Sequence, residues 1–286
     1  MTNVLSAAEA QQYQSAGYIG AKRVLTPAEA AGYLAQVDDY EARAGGPIAG
    51  AHRYKCHLLF PWISQLMRDP RILDPVEDLL GPDLMVWTTH LYPKWPGDGR
   101  FISWHQDSAH WGLDSEQIVT AWVALSDASV ESGCMRMMPG SHRDGIVEHV
   151  DTWDENNILT RGQTIDRAID EDKAVDVELR AGEMSLHHVN MWHASRANHA
   201  DFRRLGVAFR YITPQARQQR VDEDYATLVR GEDRFGHFRP EPSPTEEFDP
   251  ELVALHQHIA DLQAKIYLSG TERASLDGLR ETNAER

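Results

Sequence analysis

The chain has 286 residues, a formal net charge of −16 at pH 7 and a sequence pI near 5.2. This acidic balance argues against non-specific binding to nucleic acid or to anionic membranes, and no apolar run is long enough to span a bilayer. Only Cys56 and Cys134 are present, which is too few for a disulfide framework, so both are expected to be small core residues. No signal-like start and no flexible linker are evident, and we expect one soluble, cytoplasmic domain over residues 1–286. The oligomeric state is left open.

Residues 1–83 are predicted to be mainly helical. Ser6 is a candidate helix cap, and Thr26 begins a capping box that ends at Glu29, with proline at the first helical position. Two further helices are expected around Phe60 to Met67 and Leu73 to Leu80, before the Gly-Pro-Asp turn that starts at Gly81.

Residues 84–213 are dominated by short β-rich runs separated by turn signals. This pattern is typical of a double-stranded β-helix, the jelly-roll or cupin-like fold. An acidic stretch, residues 151–176, interrupts the runs. It is expected either to close over an active site or to form a solvated surface loop.

The C-terminal extension, residues 214–286, is predicted to be a surface loop followed by one helix. The charged and proline-containing part from Pro214 to Asp249 is expected to have little regular structure. A helix is predicted from Pro250 to Leu268, because apolar residues recur there at spacings of three and four. Its apolar stripe is expected to dock within the chain, with another subunit as the alternative, and the tail from Ser269 is polar.

A candidate metal site is formed by His105, Asp107 and His193. In an extended strand, residues two apart point to the same face, so His105 and Asp107 are predicted to bind one metal ion. His193 lies in a second plausible strand, Trp192 to Ser195, and supplies the third ligand. Two imidazoles and one carboxylate are the donor set of non-haem Fe(II) oxygenases, and this set leaves coordination positions open for chemistry.

The motifs around these residues agree in order and spacing with a known family. The segment Phe101 to Leu113 resembles the metal-binding segment of the phytanoyl-CoA dioxygenase family of Fe(II)/2-oxoglutarate oxygenases. Later family motifs are matched by a tryptophan strand, a Gly-Cys strand, a Pro-Gly-Ser-His turn, a Gly-Glu strand and the distal histidine segment, here Val119 to Leu125, Gly133-Cys134, Pro139 to His142, Gly182-Glu183 and His193 to Asn198.

The resemblance implies that Arg204, eleven residues after His193, binds the far carboxylate of 2-oxoglutarate. Arg203 is the competing candidate. A guanidinium fork suits a bidentate carboxylate, and strand alternation favours Arg204. Arg204 would share a face with the small residues Gly206 and Ala208, which would leave room for the cosubstrate.

Four further cosubstrate contacts are implied by the resemblance. Ser195 matches a serine that bonds the 2-oxoglutarate carboxylate, and Trp122 matches a tryptophan that lines its pocket. Lys94 and His90 lie near positions that contact the cosubstrate in relatives. The alternatives are an ordinary core role for Trp122 and an exposed loop charge for Lys94.

Other histidines have less specific roles. His110 and Trp111 are predicted to meet substrate at the mouth of the pocket, with a packed aromatic pair as the alternative. His187 is the fallback metal ligand should His193 fail. His142, in a Pro-Gly-Ser turn, is expected to be structural.

The implied cofactors are Fe(II), 2-oxoglutarate and O₂, with release of succinate and CO₂ and hydroxylation of a small molecule. The same cofactors also support desaturation, cyclisation or epimerisation. Halogenation is disfavoured, because related halogenases have a small residue where this chain has Asp107. The alternatives from other classes are a cupin-like metal-dependent lyase or isomerase, which would not need Arg204, and a non-catalytic ligand-binding protein.

Overall fold

A large and a small β-sheet form the centre of the molecule, and helices flank them at both ends of the chain. The structure is a computed structural model that describes residues 4–272. Its helices are α1 Ala7–Ala16, α2 Pro27–Ala44, α3 Pro61–Leu66, α4 Pro70–Leu80, α5 Ser108–Trp111 and α6 Pro250–Tyr267. Its strands are β1 Tyr18–Arg23, β2 Leu84–Leu91, β3 Ile102–His105, β4 Ile118–Ala124, β5 Met135–Met137, β6 His149–Asp151, β7 Gln163–Ile165, β8 Val175–Val177, β9 Glu183–His188, β10 His193–Ser195, β11 Gly206–Ile212, β12 Tyr225–Arg230 and β13 Arg239–Pro240.

The large sheet has seven strands in the order β1-β9-β4-β11-β2-β12-β13, and the small sheet has four in the order β3-β10-β5-β8. All pairings are antiparallel except the short contact of β12 with β13. A separate ribbon pairs β6, which ends at the first residue of the region predicted as an insertion, with β7 inside that region. These sheets form the double-stranded β-helix that the strand pattern predicted, and the fold class is confirmed.

The main apolar core lies between the large sheet and the N-terminal helices. Leu205, Val207 and Phe209 alternate along the chain and pack in one cluster with Ile63 and Leu66 of α3. The opposite face of β11 carries Ala208, which belongs to a different cluster. Helices thus cover one face of the large sheet, and the other face is left to form a cavity with the small sheet.

The predicted helix cap at Ser6 and the predicted capping box at Thr26 are both present, and Ser6 forms a capping box as well. The Ser6 and Thr26 side chains accept from the backbone N–H groups of Glu9 and Glu29, and each glutamate side chain accepts in return. Helix α4 begins earlier than predicted, because Asp69 caps it and Pro70 occupies its first position.

Strands β1 and β12 are among those that lie where no strand was predicted. Strand β1 falls in the part expected to be helical, and β12 in the part expected to be an irregular loop. Each receives its backbone hydrogen bonds from a distant segment, β1 from β9 and β12 from β2. Short, partly polar strands of this kind carry little local signal, since pairing with a distant partner stabilises them.

The C-terminal helix was predicted correctly, and it docks within the chain. Asp249 accepts from two backbone N–H groups of the first turn. Ile259 is fully buried in a cluster with Leu58 and Tyr225. No helix in the range 4–272 is both long and apolar enough to cross a membrane. Most of the polar tail predicted from Ser269 lies outside the described residues.

Candidate metal centre and cosubstrate pocket

Strand pairing in the small sheet brings the two predicted metal-binding histidines together. His193 of β10 is directly opposite His105 of β3, and their ring centroids are 4.0 Å apart. In each ring Nδ1 lies 2.9 Å from the backbone carbonyl two residues earlier, that of Ser103 or Met191. A carbonyl at Nδ1 fixes the tautomer that carries its proton there, which leaves each Nε2 lone pair free for a metal.

Asp107 lies beside the two histidines, but it is not part of a strand as predicted. It does not continue the strand but has helical backbone angles (φ −61°, ψ −43°) and immediately precedes α5. Even so, its Oδ1 lies 3.7 Å from His105 Nε2, and Thr120 Oγ1 donates to its Oδ2 at 3.3 Å. Burial opposes the charge of this carboxyl, but His105, His187 and the charge of Arg210 hold its pKa well below the usual range.

The three side chains fit a divalent metal. Their ligand atoms all lie within 4.8 Å of one another, and all three residues are buried. Burial also keeps the pKa of His193 well below its usual value, so this imidazole is neutral and able to coordinate. The donor set of two imidazoles and one carboxylate suits Fe(II).

His187 lies beside this group without belonging to it. It comes from β9 of the large sheet, and its ring centroid is 4.8 Å from that of His193. Its Nε2 is 3.7 Å from Asp107 Oδ2, and neither ring nitrogen has a hydrogen-bond partner among the described residues. His187 and His193 do not share one unbroken strand, because the two residues belong to different sheets.

The two neighbouring arginines point in opposite directions. Arg203 forms ion pairs with Asp38 and Glu41 of α2, at 2.5 Å each. Arg204 is 1% exposed and lines a cavity of about 420 Å³ together with all three candidate metal ligands. Its Nη1 donates to the carbonyl of Gly133 at 2.6 Å, while its Nε has no acceptor among the described residues. A buried guanidinium with an unsatisfied donor is suited to bind a carboxylate.

Ser195 and Lys94 extend the polar end of this cavity. Ser195 lines it, and Lys94 Nζ donates to Ser195 Oγ at 2.6 Å and to the carbonyl of Arg196. Lys94 is therefore not an exposed loop charge. Burial, aided by the charge of Arg204, lowers its pKa to about 6, so it is largely neutral at pH 7.

Trp122 forms one wall of the cavity, and the guanidinium of Arg204 lies 5.3 Å from its ring centroid. A Cβ built on Gly206 would lie 2.1 Å from this ring. The small residue at 206 therefore makes room for Trp122 and not, as expected, for the cosubstrate. Ala208 does line the cavity.

The structure does not bring His90 to the Arg204 cavity. His90 lines a second cavity of about 500 Å³, which also reaches His105 and Asp107. His110 and Trp111 line this second cavity too, and their contact with substrate stays a prediction. His90 is on β2 and faces Tyr54 and Tyr92, and its contact with the cosubstrate stays a prediction.

Comparison with known proteins identifies the family. A family model described as phytanoyl-CoA dioxygenase matches residues 13–206. The chain belongs to the phytanoyl-CoA dioxygenase family. The predicted membership in this family of Fe(II)/2-oxoglutarate oxygenases is therefore confirmed, together with the cofactor class.

Proteins of known structure that are similar to this chain have different activities. The chain is 37% identical to the solved structure of ThoJ, a non-heme monooxygenase, with a TM-score of 0.79 and coverage of 90% of this chain and 96% of that one. The epimerase SnoN, solved with Fe³⁺, α-ketoglutarate and nogalamycin RO, is 26% identical, with a TM-score of 0.62 and coverage of 74% and 85%.

A probable α-ketoglutarate-dependent hypophosphite dioxygenase of Stutzerimonas stutzeri is 29% identical over 162 residues, which is 56% of each chain. The chain spans about half the length of the curated relatives that head this comparison. Family membership thus defines the cofactors but leaves the substrate open.

Several residues at this phytanoyl-CoA dioxygenase-type centre were not found from sequence. Arg210 and Leu159 line both cavities, and Tyr54 and Tyr267 reach the second cavity from opposite ends of the chain. The alternation that selected Arg204 also places Arg210 on the same face, so this signal was available. Nothing in the local sequence of Tyr54 or Tyr267 indicates their approach to the site.

Residues of the predicted insertion form part of the cavity walls. Leu159 lines both cavities, and Ile158, Thr160 and Gln163 line the second. Part of the stretch 151–176 therefore lines the two cavities, and closure of this stretch over an active site stays a prediction.

Proposed function

We propose that the protein is a non-haem Fe(II)/2-oxoglutarate-dependent dioxygenase that hydroxylates a small molecule, with release of succinate and CO₂. When bound, the iron and the cosubstrate activate O₂ and supply an oxidant strong enough to remove hydrogen from a C–H bond. His105, Asp107 and His193 would hold the metal. No acid/base pair or nucleophile is required of the protein.

The role of the protein is to orient and shield the reactants. Arg204 would bind the far carboxylate of 2-oxoglutarate, helped by Ser195, whose hydroxyl accepts from Lys94. Trp122 would pack against the cosubstrate chain. Burial of these groups excludes water and strengthens the charge-assisted hydrogen bonds.

One observation carries the proposal. The candidate metal ligands and a buried arginine with an unsatisfied Nε line the same cavity. A metal-dependent lyase or isomerase without 2-oxoglutarate would have no use for such an arginine. Desaturation, cyclisation and epimerisation stay open as reaction outcomes, because they need the same groups.

The proposal includes a cytoplasmic location. Cys56 and Cys134 are both buried and free, which suits a reducing compartment.

Anaerobic titration of Fe(II)-loaded protein with 2-oxoglutarate tests the proposal directly. We expect the weak visible metal-to-ligand charge-transfer band of the chelate to appear, and to be lost in Asp107→Ala and His193→Ala. Asp176→Ala, at an acidic residue outside both cavities, is the control and should retain the band. Iron binding without a band would favour the lyase or isomerase, and absence of metal binding would favour a non-catalytic protein.

A further inference from the structure

The second cavity lies beside the candidate metal ligands and is the natural place for substrate. His105 and Asp107 form part of its wall, so a ligand bound there would be adjacent to the metal. It is distinct from the Arg204 cavity, although the two cavities share these two ligands together with Leu159, Tyr92 and Arg210. The charges and rings of its walls indicate the chemical class of that substrate, an inference that rests on the proposed function.

Arg210 is a buried cation in this cavity with an unsatisfied donor. It lies on the same face of the chain as Arg204 and is 6% exposed. Its Nη2 donates to the Tyr92 hydroxyl at 2.6 Å, and its guanidinium lies 5.5 Å and 5.4 Å from the ring centroids of Tyr92 and Trp111. Its Nε has no acceptor among the described residues. These contacts hold the guanidinium in place but do not neutralise it.

Asp107 is the single acidic residue among those that line the cavity in the described part of the chain. The charge of Asp107 would be committed to the metal, and 2-oxoglutarate would bring its two carboxylates to the metal and to Arg204. The positive charges of the iron and the two arginines exceed the negative charges of Asp107 and the cosubstrate. Lys94 is largely neutral, and the excess positive charge lies in a buried site. A buried charge of this kind is costly unless an anion accompanies it.

A further arginine strengthens the positive character of this region. Arg53 is 7% exposed, and its Nε also lacks an acceptor within residues 4–272. Burial, together with the charges of Arg53 and Arg210, lowers the pKa of His90 well below its usual value. His90 is therefore neutral, and its Nε2 is a further unpartnered polar atom in the described structure.

The remaining wall is aromatic. The rings of Tyr54 and His90 have centroids 4.0 Å apart, and those of His90 and Tyr92 are stacked at 3.8 Å. Trp111 and Tyr267 complete this wall from α5 and α6. An apolar or ring-shaped body would pack against these side chains.

We propose that the second cavity binds a small carboxylic acid whose carboxylate is held by Arg210 and whose body packs against the aromatic wall. The guanidinium of Arg210, oriented by Tyr92 and Trp111, offers the Nε donor to one carboxylate oxygen. Arg210 is thus the residue that selects substrates by charge.

A pair of fluorinated probes of nearly equal shape tests the assignment. Binding of 4-fluorophenylacetate and of its neutral amide, 4-fluorophenylacetamide, is measured by fluorine NMR on Zn(II)-loaded protein with saturating 2-oxoglutarate, which keeps the acid out of the Arg204 cavity. We expect the acid to bind at least about tenfold more tightly than the amide, as a charge-assisted hydrogen bond in a buried site implies.

Variants then assign the preference to Arg210. In Arg210→Gln the preference for the acid should disappear, and in Arg210→Lys, which keeps the charge, it should be partly retained. Arg234→Gln, at an exposed arginine paired with Glu232, is the matched control and should leave both affinities unchanged. Equal affinity of the wild-type protein for acid and amide, or an undiminished preference in Arg210→Gln, would overturn the proposal.

Two further measurements test the choice of a carboxylate as the ligand and the proposed function itself. Tighter binding of 4-fluorobenzylphosphonate than of the acid would overturn the choice of a carboxylate in favour of a phosphonate-type anion. The charge-transfer band of the Fe(II)/2-oxoglutarate complex is recorded for the wild type and for Arg210→Gln. It distinguishes failure of the proposed substrate class from failure of the proposed function. A normal band with no acid preference in the wild type refutes only the substrate class, whereas absence of the band in the wild type refutes the proposed function.

Discussion

At the scale of single residues, the environment of a side chain decides its role more than its type does. Arg203 and Arg204 are adjacent, yet one forms ion pairs with α2 and the other is buried beside Trp122. The reason is the alternation of side chains along an extended segment, which directs neighbours to opposite faces. Because they are adjacent in sequence, Arg203 and Arg204 were competing candidates for the arginine that binds 2-oxoglutarate. The alternation of side chains along the strand favoured Arg204.

Arg204→Ala should weaken 2-oxoglutarate binding by roughly 10- to 100-fold, because a buried charged hydrogen bond contributes about 1.5 to 3 kcal/mol. The measurement is the concentration of 2-oxoglutarate that gives half the charge-transfer absorbance. Arg203→Ala is the control and should change this concentration little, since its ion pairs lie on the outer side of the sheet. A larger effect from Arg203→Ala would transfer the role to that residue.

At the scale of secondary-structure elements, strands and helices from distant parts of the chain assemble the centre. The small sheet positions His105 and His193, the large sheet supplies Arg210, and α6 ends at Tyr267 on the cavity wall. Helix α6 is held by its apolar stripe, in which Ile259 is 0% exposed and packs against Leu58 and Tyr225. Docking of this helix is therefore linked to the shape of the second cavity.

Ile259→Ala should lower the free energy of unfolding by about 2 to 5 kcal/mol, since it removes buried methyl groups and leaves a cavity. The measurement is urea denaturation followed by circular dichroism. Val253→Ala, in the same helix at a position 37% exposed, is the matched control, and we expect a loss of less than about 1 kcal/mol. Equal effects of the two substitutions would mean that α6 is not docked through Ile259.

At the scale of the whole molecule, a buried polar cluster ties the N-terminal part of the chain to the C-terminal extension. Lys55 Nζ lies 2.6 Å from Glu241 Oε1, and His57 Nε2 lies 2.9 Å from Glu241 Oε2. Thr227 of β12 donates to the same carboxylate at 2.7 Å. Because Tyr54 lies next to Lys55 in sequence, this cluster also helps to position the wall of the second cavity.

Glu241→Gln should destabilise the protein by roughly 3 to 5 kcal/mol, because Lys55 would be buried without its counter-charge. The measurement is the free energy of unfolding in urea at pH 7. Glu232→Gln, in an exposed pair with Arg234, is the control and should cost about 0 to 1 kcal/mol.

The same variant has a defined pH signature. Burial opposes ionisation of Glu241, but Lys55 and His57 lower its pKa from 4.5 to about 2. A depressed carboxyl pKa adds stability above the unfolded value, and this stability is lost as pH falls from about 4.5 towards 2. The wild type should therefore lose more stability than Glu241→Gln over that range, and parallel acid profiles would show that the carboxylate is not ionised in the cluster.

Local signals were sufficient wherever neighbours in sequence determine structure. The capping boxes at Ser6 and Thr26, the cap and apolar period of α6, and the alternation around Arg204 each depend on a few consecutive residues. The order and spacing of the motifs around His105 are enough to indicate the family. In these cases the physical cause lies in the local sequence: a helix cap, the period of the apolar residues or the face of a strand.

Tertiary structure determined the features that depend on contacts between distant segments of the chain. Strands β1 and β12 exist because β9 and β2 offer them hydrogen bonds, and no local period marks them. Asp107 approaches the two histidines from the start of α5 and not from a strand, because the chain turns immediately after β3. The second cavity joins Tyr54, Arg210 and Tyr267 from three remote segments. The sequence by itself therefore determined the candidate metal ligands, the cosubstrate class and the fold class, whereas packing between distant segments determined the shape and lining of the second cavity.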